Sequence, residues 1–83
     1  MIINIYNCVF NNVVVDDNST MTYLYYGNYY RKVKDYDNMM KYYLMAIKKN
    51  NDIAMYNLAL YYDDVKDYDN MIKYYLMAIE LNN

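Results

Sequence analysis

The chain has 83 residues, of which 58% are hydrophobic and 22% charged, with a net charge of −2. A chain of this length forms one domain at most and removes only roughly 60% of its unfolded surface from water. The near-neutral charge predicts no nucleic-acid partner, and the absence of His removes the commonest catalytic base and metal ligand.

The N-terminal segment, residues 1–19, is the first predicted element. Residues 1–15 contain no Lys or Arg, and Asn residues interrupt their apolar runs, which is unlike a signal peptide. Their apolar spacing fits one face of a helix that could cap the elements that follow, whereas their Ile and Val content equally suits a strand. No stretch of the sequence approaches the ~20 apolar residues of a membrane span. We therefore expect a soluble cytoplasmic protein with no membrane partner.

The rest of the chain contains two copies of one sequence. Residues 29–51 read YYRKVKDYDNMMKYYLMAIKKNN, and residues 61–83 read YYDDVKDYDNMIKYYLMAIELNN. The shift between the copies is 32 residues, and the two windows differ at five positions. This internal similarity predicts two repeats, at residues 20–51 and 52–83.

Each copy predicts two helices. Apolar residues in the first half of each copy recur at i, i+3, i+4 and i+7, the spacing of one helix face. Asp35 and Asp67 precede the second helices, where a carboxylate can cap free backbone N–H groups. Asn51 can do the same for the third helix, and Ser19 or Thr20 for the first. The predicted helices span residues 20–33, 36–49, 52–65 and 68–81.

The second helix of each copy is apolar on nearly every side, over residues 39–47 (MMKYYLMAI) and 71–79 (MIKYYLMAI). Such a helix must be covered on more than one face, by the helix before it and by the next copy along. This requirement predicts an all-α fold, an α-solenoid of two stacked helix-turn-helix repeats. The last helix then leaves an exposed apolar end, which includes Tyr74, Leu76, Met77 and Leu81. A partner, a second copy or further repeats of a longer array can cover it.

The residue spacing resembles that of tetratricopeptide repeats. The second copy supplies the signature residues of that family at Met55, Leu58-Ala59, Tyr62, Asp67-Tyr68, Met71, Tyr75 and Ala78, and the first copy at Tyr23, Tyr26-Gly27, Tyr30, Asp35-Tyr36, Met39, Tyr43 and Ala46. The family's turn glycine is replaced by Lys34 and Lys66. The chain is also similar to Sel1-like repeats, but their longer inner loop is absent, which favours the tetratricopeptide family. Repeats rich in Tyr, Asn and Met resemble those of giant viruses and other AT-rich genomes.

The resemblance implies a scaffold or adaptor that binds a peptide or a partner helix. In this family the first helices of successive repeats line a groove. Carried over to this sequence, the groove residues are Leu24, Asn28, Arg31, Lys32, Tyr56, Asn57, Leu60, Asp63 and Asp64, with Met21 and Ile53 at its edge. Asn28 and Asn57 match two positions of a subclass that binds C-terminal carboxylates, but the Lys of that subclass is Leu24 here, which argues against carboxylate binding.

Most of the fifteen tyrosines lie at core spacing and are predicted to pack between helices. Six lie off the signature positions and are the better candidates for contact with a partner: Tyr25, Tyr29, Tyr42, Tyr56, Tyr61 and Tyr74.

Charge is distributed unevenly along the chain. Residues 21–51 carry a net charge of +4 and residues 53–83 a net charge of −3. Solvated surface charge is one interpretation of this asymmetry. The other is head-to-tail association of copies into a homo-oligomer, basic end to acidic end.

No catalytic, metal or cofactor site is predicted. No nucleophile, base and orienting group occur together. The carboxylate pairs lack the spacing of a calcium loop, and Cys8 is expected to be a small buried apolar residue. The protein is therefore predicted not to be an enzyme and to need no cofactor.

Overall fold

The computed structural model describes residues 20–82, which form four helices and no strand. These helices are α1 (Thr20–Lys32), α2 (Tyr36–Lys48), α3 (Asp52–Asp64) and α4 (Tyr68–Leu81). The four predicted helices are therefore confirmed to within one residue at each end. The interpretations that concern residues 1–15, Cys8 and a Ser19 cap lie outside the described residues.

The predicted caps begin the helices. The carboxylate of Asp35 accepts a hydrogen bond from the backbone N–H of Asn38 at 3.3 Å, and Asp67 does the same for Asn70 at 3.3 Å. The side-chain oxygen of Asn51 accepts from the N–H of Ala54 at 2.8 Å. Each contact satisfies a donor that has no partner inside its own helix.

The loops after α1 and α3 use lysine where glycine is usual. Lys34 and Lys66 adopt the left-handed conformation, with φ of 65° and 64°. The N–H of Asp35 donates to the carbonyl of Tyr30 at 2.9 Å, the long-range bond of a Schellman motif. A side chain at this position costs energy that glycine avoids.

The helices form two antiparallel pairs, α1 with α2 and α3 with α4, and the second pair stacks on the first through α2 and α3. The predicted two-sided cover of residues 39–47 is confirmed, since α2 packs against both α1 and α3. The buried core runs through both pairs and comprises Leu24, Met39, Tyr43, Ala46, Ile47, Ala54, Met55, Leu58, Ala59, Tyr74 and Ala78.

Gly27 allows α1 and α2 to approach closely. A Cβ atom at this position would overlap the ring of Tyr43, lying 2.6 Å from its Cε1. Tyr43 is itself completely buried. The corresponding residue of the second pair is Ala59, which is also completely buried.

None of the four described helices is long and apolar enough to cross a lipid bilayer.

Candidate functional site

The first helices of the two pairs, α1 and α3, present a continuous surface, called here the groove surface. It carries the nine residues that the sequence places in a binding groove. Eight of them are exposed or half-buried, namely Asn28, Arg31, Lys32, Tyr56, Asn57, Leu60, Asp63 and Asp64. Leu24 is buried in the core instead. It supports this surface from below and offers little area to a ligand.

The centre of the groove surface is a small polar network. The hydroxyl of Tyr43 donates to Oδ1 of Asn28 at 2.6 Å, and Nδ2 of Asn57 donates to the same oxygen at 3.1 Å. Asn28 lies on α1, Tyr43 on α2 and Asn57 on α3. The network therefore joins three helices and both pairs at one atom.

The pKa of Tyr43 is raised above its ordinary value of 10.0 because burial disfavours the phenolate. The charge of Arg31 and hydrogen bonds from Arg31 and Asn57 act in the opposite direction and reduce the shift. Tyr43 is therefore a neutral hydrogen-bond donor at neutral pH. Sequence reasoning assigned it to the core but did not identify Asn28 as the partner of its hydroxyl.

Charged residues of opposite sign lie at the C-terminal ends of α1 and α3. Nη2 of Arg31 lies 3.7 Å from Oδ2 of Asp64, where the Arg31 side chain is 33% and the Asp64 side chain 71% exposed. An ion pair this exposed contributes about 0–1 kcal/mol. Lys32 and Asp63, the neighbours of the paired residues, are exposed beside them.

The opposite end of the groove surface is apolar. Met21 on α1 is 49% exposed, and Ile53, the corresponding residue on α3, is 50% exposed. Tyr56 is similarly exposed and its ring lies 5.7 Å from that of Tyr75. Exposed apolar side chains that lie together are candidates for contact with a partner.

A cleft of ≈ 470 Å³ opens between the N-terminal end of α3 and the C-terminal end of α4. Nδ2 of Asn82 donates to Oδ2 of Asp52 at 3.0 Å across one edge of it. The lining residues are Asp52, Ile53, Tyr56, Ala78, Ile79 and Asn82. Sequence reasoning placed Ile53 and Tyr56 on a binding surface but missed the α4 side of the cleft. The repeat offered a signal for that side, because Ala78 and Ile79 of the cleft correspond to Ala46 and Ile47 of the first pair.

The tyrosines proposed for partner contact do not behave alike. Tyr25, Tyr29 and Tyr56 are exposed, as a contact role requires. Tyr42 and Tyr61 are half-buried in aromatic clusters, where Tyr42 lies between the rings of α1. For Tyr74 the prediction is wrong both as a contact residue and as part of the exposed end, since the side chain is buried and stacks on Tyr62 at 5.7 Å.

The outer face of α4 is exposed, as the missing cover predicts. Its large apolar residues Ile72, Leu76, Ile79 and Leu81 all belong to the most exposed hydrophobic side chains of the described region. Met77 is half-buried and packs against the core. This apolar face, the cleft and the groove surface are adjacent on the second pair.

Stacked antiparallel helix pairs with a 32-residue sequence period define an all-α helical-repeat protein. Residues 53–83 match the family model described as Tetratricopeptide repeat. Such repeats generally mediate protein–protein interaction, and their fold typically serves as a scaffold without catalysis. No curated protein and no solved structure gives a significant match to the chain.

Proposed function

We propose that residues 20–51 and 52–83 are two successive repeats that form a protein-interaction module, and that the groove surface binds an extended peptide or a helix of a partner protein. The observation that carries the proposal is the composition of this surface. Exposed apolar residues lie at one end, a hydrogen-bonded amide pair at the centre and opposite charges at the other end.

The central amides suit recognition of a peptide backbone. Both hydrogen bonds of Asn28 observed within residues 20–82 fall on its Oδ1 atom. Its Nδ2 group is then the natural donor to a ligand carbonyl, and its position is fixed by Tyr43 and Asn57. A side chain held in place before binding loses less entropy when the ligand arrives.

The charged end gives the ligand a direction. Because Arg31 and Asp64 neutralise each other, Lys32 and Asp63 are the charges that a partner meets. A favoured ligand carries an acidic residue near Lys32, a basic residue near Asp63 and an apolar residue at the Ile53 end. Complementary charges of this kind set orientation and association rate more than affinity.

Selection from a displayed random peptide library on the full 83-residue chain tests this proposal. Peptides that bind through the groove surface lose affinity at least about tenfold when Ile53→Glu puts a charge in the apolar end. Leu44→Glu is the matched control, because Leu44 is an exposed apolar residue on α2, which does not line the groove surface. Ile53 and Leu44 are both exposed, so neither variant is expected to unfold the protein.

The proposal fails if no peptide is enriched, or if every enriched peptide binds Ile53→Glu as well as the unaltered chain. It also fails if Leu44→Glu abolishes binding and Ile53→Glu does not, since the ligand would then lie on the second helices.

A second candidate function, that of a structural unit that assembles with copies of itself, is favoured by the exposed outer face of α4.

A further inference from the structure

We propose that copies of this chain associate head to tail, with the first helix pair of one copy stacking on the second helix pair of another in the register by which the two pairs stack within the chain. Association needs no groove ligand, although the two faces share Lys32, Tyr56, Leu60 and Asp63 with the groove surface. The contact surface on the first pair, called the head face, comprises Tyr25, Tyr26, Tyr29, Tyr30 and Lys32. The contact surface on the second pair, called the tail face, comprises Tyr56, Leu60, Asp63, Tyr68, Ile72 and Ile79.

The tail face repeats a surface that the chain already covers once. Ile47 in α2 is 9% exposed because the second pair stacks against it, whereas Ile79, the same position 32 residues later, is 57% exposed. Leu24 is buried and its counterpart Tyr56 is exposed. The sequence around both isoleucines is identical, YYLMAI. The tail face is therefore built like the surface that receives a first helix.

The head face shows the converse pattern on the other side of the molecule. Leu58 in α3 is completely buried, whereas its counterpart Tyr26 in α1 is 43% exposed. Tyr74 is buried and its counterpart Tyr42 is only half-buried. Residues that are buried where the two pairs stack therefore have exposed counterparts, on the second pair for the tail face and on the first pair for the head face.

Charge identifies the second copy as the occupant. At the internal junction Arg31 of the first pair meets Asp64 of the second at 3.7 Å. Moving this contact by one period of 32 residues pairs Asp63 of one copy with Lys32 of the next. The two signs are exchanged together, so the pair remains attractive. Had only one position changed sign, like charges would meet at the junction.

The other contacts of the internal junction translate into compatible pairs. Tyr36 and Tyr61 have ring centroids 5.1 Å apart, and the shifted pair is Tyr68 with Tyr29, both exposed tyrosines. The Tyr62 hydroxyl contacts the sulfur of Met40 at 3.6 Å, and the shifted pair is Tyr30 with Ile72.

The Asn57–Asn28 hydrogen bond is replaced, in the shifted register, by Tyr25 against Leu60. The amide pair is replaced by a tyrosine ring against a leucine side chain, which can form an apolar contact. Of these four contacts across the junction, the ion pair and the tyrosine pair keep their type between copies, and the other two become apolar contacts. A head-to-tail contact is heterologous, so it extends into longer assemblies as concentration rises instead of closing at a dimer.

Sedimentation equilibrium on the full chain, across micromolar to millimolar concentration, is the first measurement. The expected result is a mean mass that rises continuously with concentration. Ile79→Lys weakens association by at least about tenfold, because it buries a charge in the tail face. Since Ile79 is exposed in the single chain, its helical circular dichroism is expected to be unchanged.

Charge reversal tests the register. Lys32→Glu and Asp63→Lys each weaken association by about fivefold, and the two together restore it because the pair is again of opposite sign. Lys48→Glu is the matched control for Lys32→Glu, because it makes the same change in net charge. The second repeat of the same chain already carries a glutamate, Glu80, at the corresponding position. Position 48 is exposed despite the stacked second pair, so this control leaves association unchanged.

Mixing a head-face variant with a tail-face variant distinguishes a head-to-tail contact from a head-to-head or tail-to-tail contact. Ile79→Lys removes a working tail face, and the double variant Tyr25→Glu with Lys32→Glu removes a working head face. Each variant alone is expected to stay monomeric, and an equal mixture is expected to form a 1:1 heterodimer that grows no further.

Three results overturn the proposal. The first is an unaltered chain that stays monomeric at all concentrations in both low and high salt, as expected if residues 1–19 cover the head face. The second is a closed dimer unaffected by the head-face variant, which shows a tail-to-tail contact. The third is a charge exchange that fails to restore association, which shows another register.

Discussion

Replacing Gly27 with alanine perturbs the packing of the first helix pair at its closest point. Alanine is the better helix former by about 0.8–1.0 kcal/mol, so propensity alone predicts that Gly27→Ala stabilises the protein. The structure predicts the opposite sign, because the new Cβ would overlap two ring atoms of the completely buried Tyr43.

The magnitude follows from what the ring must do. Overpacking a filled core costs about 1–3 kcal/mol. If the ring moves, its 2.6 Å hydrogen bond to Asn28 is also lost, at about 0.5–1.5 kcal/mol. After subtraction of the propensity gain, Gly27→Ala is expected to lower the free energy of unfolding by about 0.5–3.7 kcal/mol. For a domain of this size, each kcal/mol lowers Tm by roughly 4–8 °C.

Thermal and urea unfolding followed by circular dichroism measure the change, on samples dilute enough to be monomeric. The control is a double-mutant cycle with Tyr43→Leu, which removes the ring that the Cβ would meet. In that background Gly27→Ala is expected to be neutral or stabilising. A rise in Tm on Gly27→Ala alone, or an equal loss in both backgrounds, would refute the reasoning that the two side chains compete for one volume.

Three further predictions concern the left-handed lysines, the cap of α4 and the dependence of stability on pH. Lys34→Gly and Lys66→Gly are each expected to raise the free energy of unfolding by up to about 1 kcal/mol, because both lysines adopt a left-handed backbone conformation. Chemical denaturation measures this gain, and a lower free energy of unfolding for both variants would contradict the prediction. Asp67→Ala is expected to cost about 1 kcal/mol by the same assay, whereas Asp67→Asn keeps most of the stability because an amide oxygen still caps α4. Burial raises the pKa values of Tyr43 and Tyr62 above 10.0, so the folded state retains these protons more firmly than the unfolded state does. Their contribution to stability is complete below pH ~10 and is lost as pH rises through the folded-state values, and Tyr43→Phe is expected to reduce the slope of stability against pH in that range.

The helices and their caps could be predicted from the sequence because they depend on local information. Asp35 and Asp67 each precede an apolar run at the cap position, and the structure places both carboxylates on the backbone N–H three residues on. The period of 32 residues predicted the stacking of two like units, and Leu76 and Leu81 are exposed as predicted for the apolar end.

Side-chain burial could not be predicted where it depends on the neighbouring pair. Tyr42 and Tyr74 occupy identical local sequences, so no local rule separates them. Tyr74 is buried and stacks on Tyr62 of α3, whose hydroxyl contacts Met40 of the first pair. Tyr42 is only half-buried, between Tyr26 and Tyr30 of α1. Leu24 is likewise buried, whereas its counterpart Tyr56 is exposed.

Two other features arise from close contacts that spacing does not encode. The sequence shows that Gly27 lies at a signature position, but not that it admits the ring of Tyr43. Likewise, the meeting of Tyr43, Asn28 and Asn57 at one oxygen atom requires the relative heights of three helices. The composition of the groove surface was thus predictable, and the network that holds its centre was not.

The stacking of the second helix pair on the first is the claim on which the groove surface, the covered α2 helix and the head-to-tail register all depend. Its most direct test is a solution NMR measurement of nuclear Overhauser effects between the Met40 methyl group and the ring protons of Tyr62, in a dilute monomeric sample. The structure places the Tyr62 hydroxyl 3.6 Å from the Met40 sulfur, and a strong cross-peak is therefore expected. Helical chemical shifts over α2 and α3 without this cross-peak, together with rapid amide exchange around Ile47, would show that the two pairs do not stack.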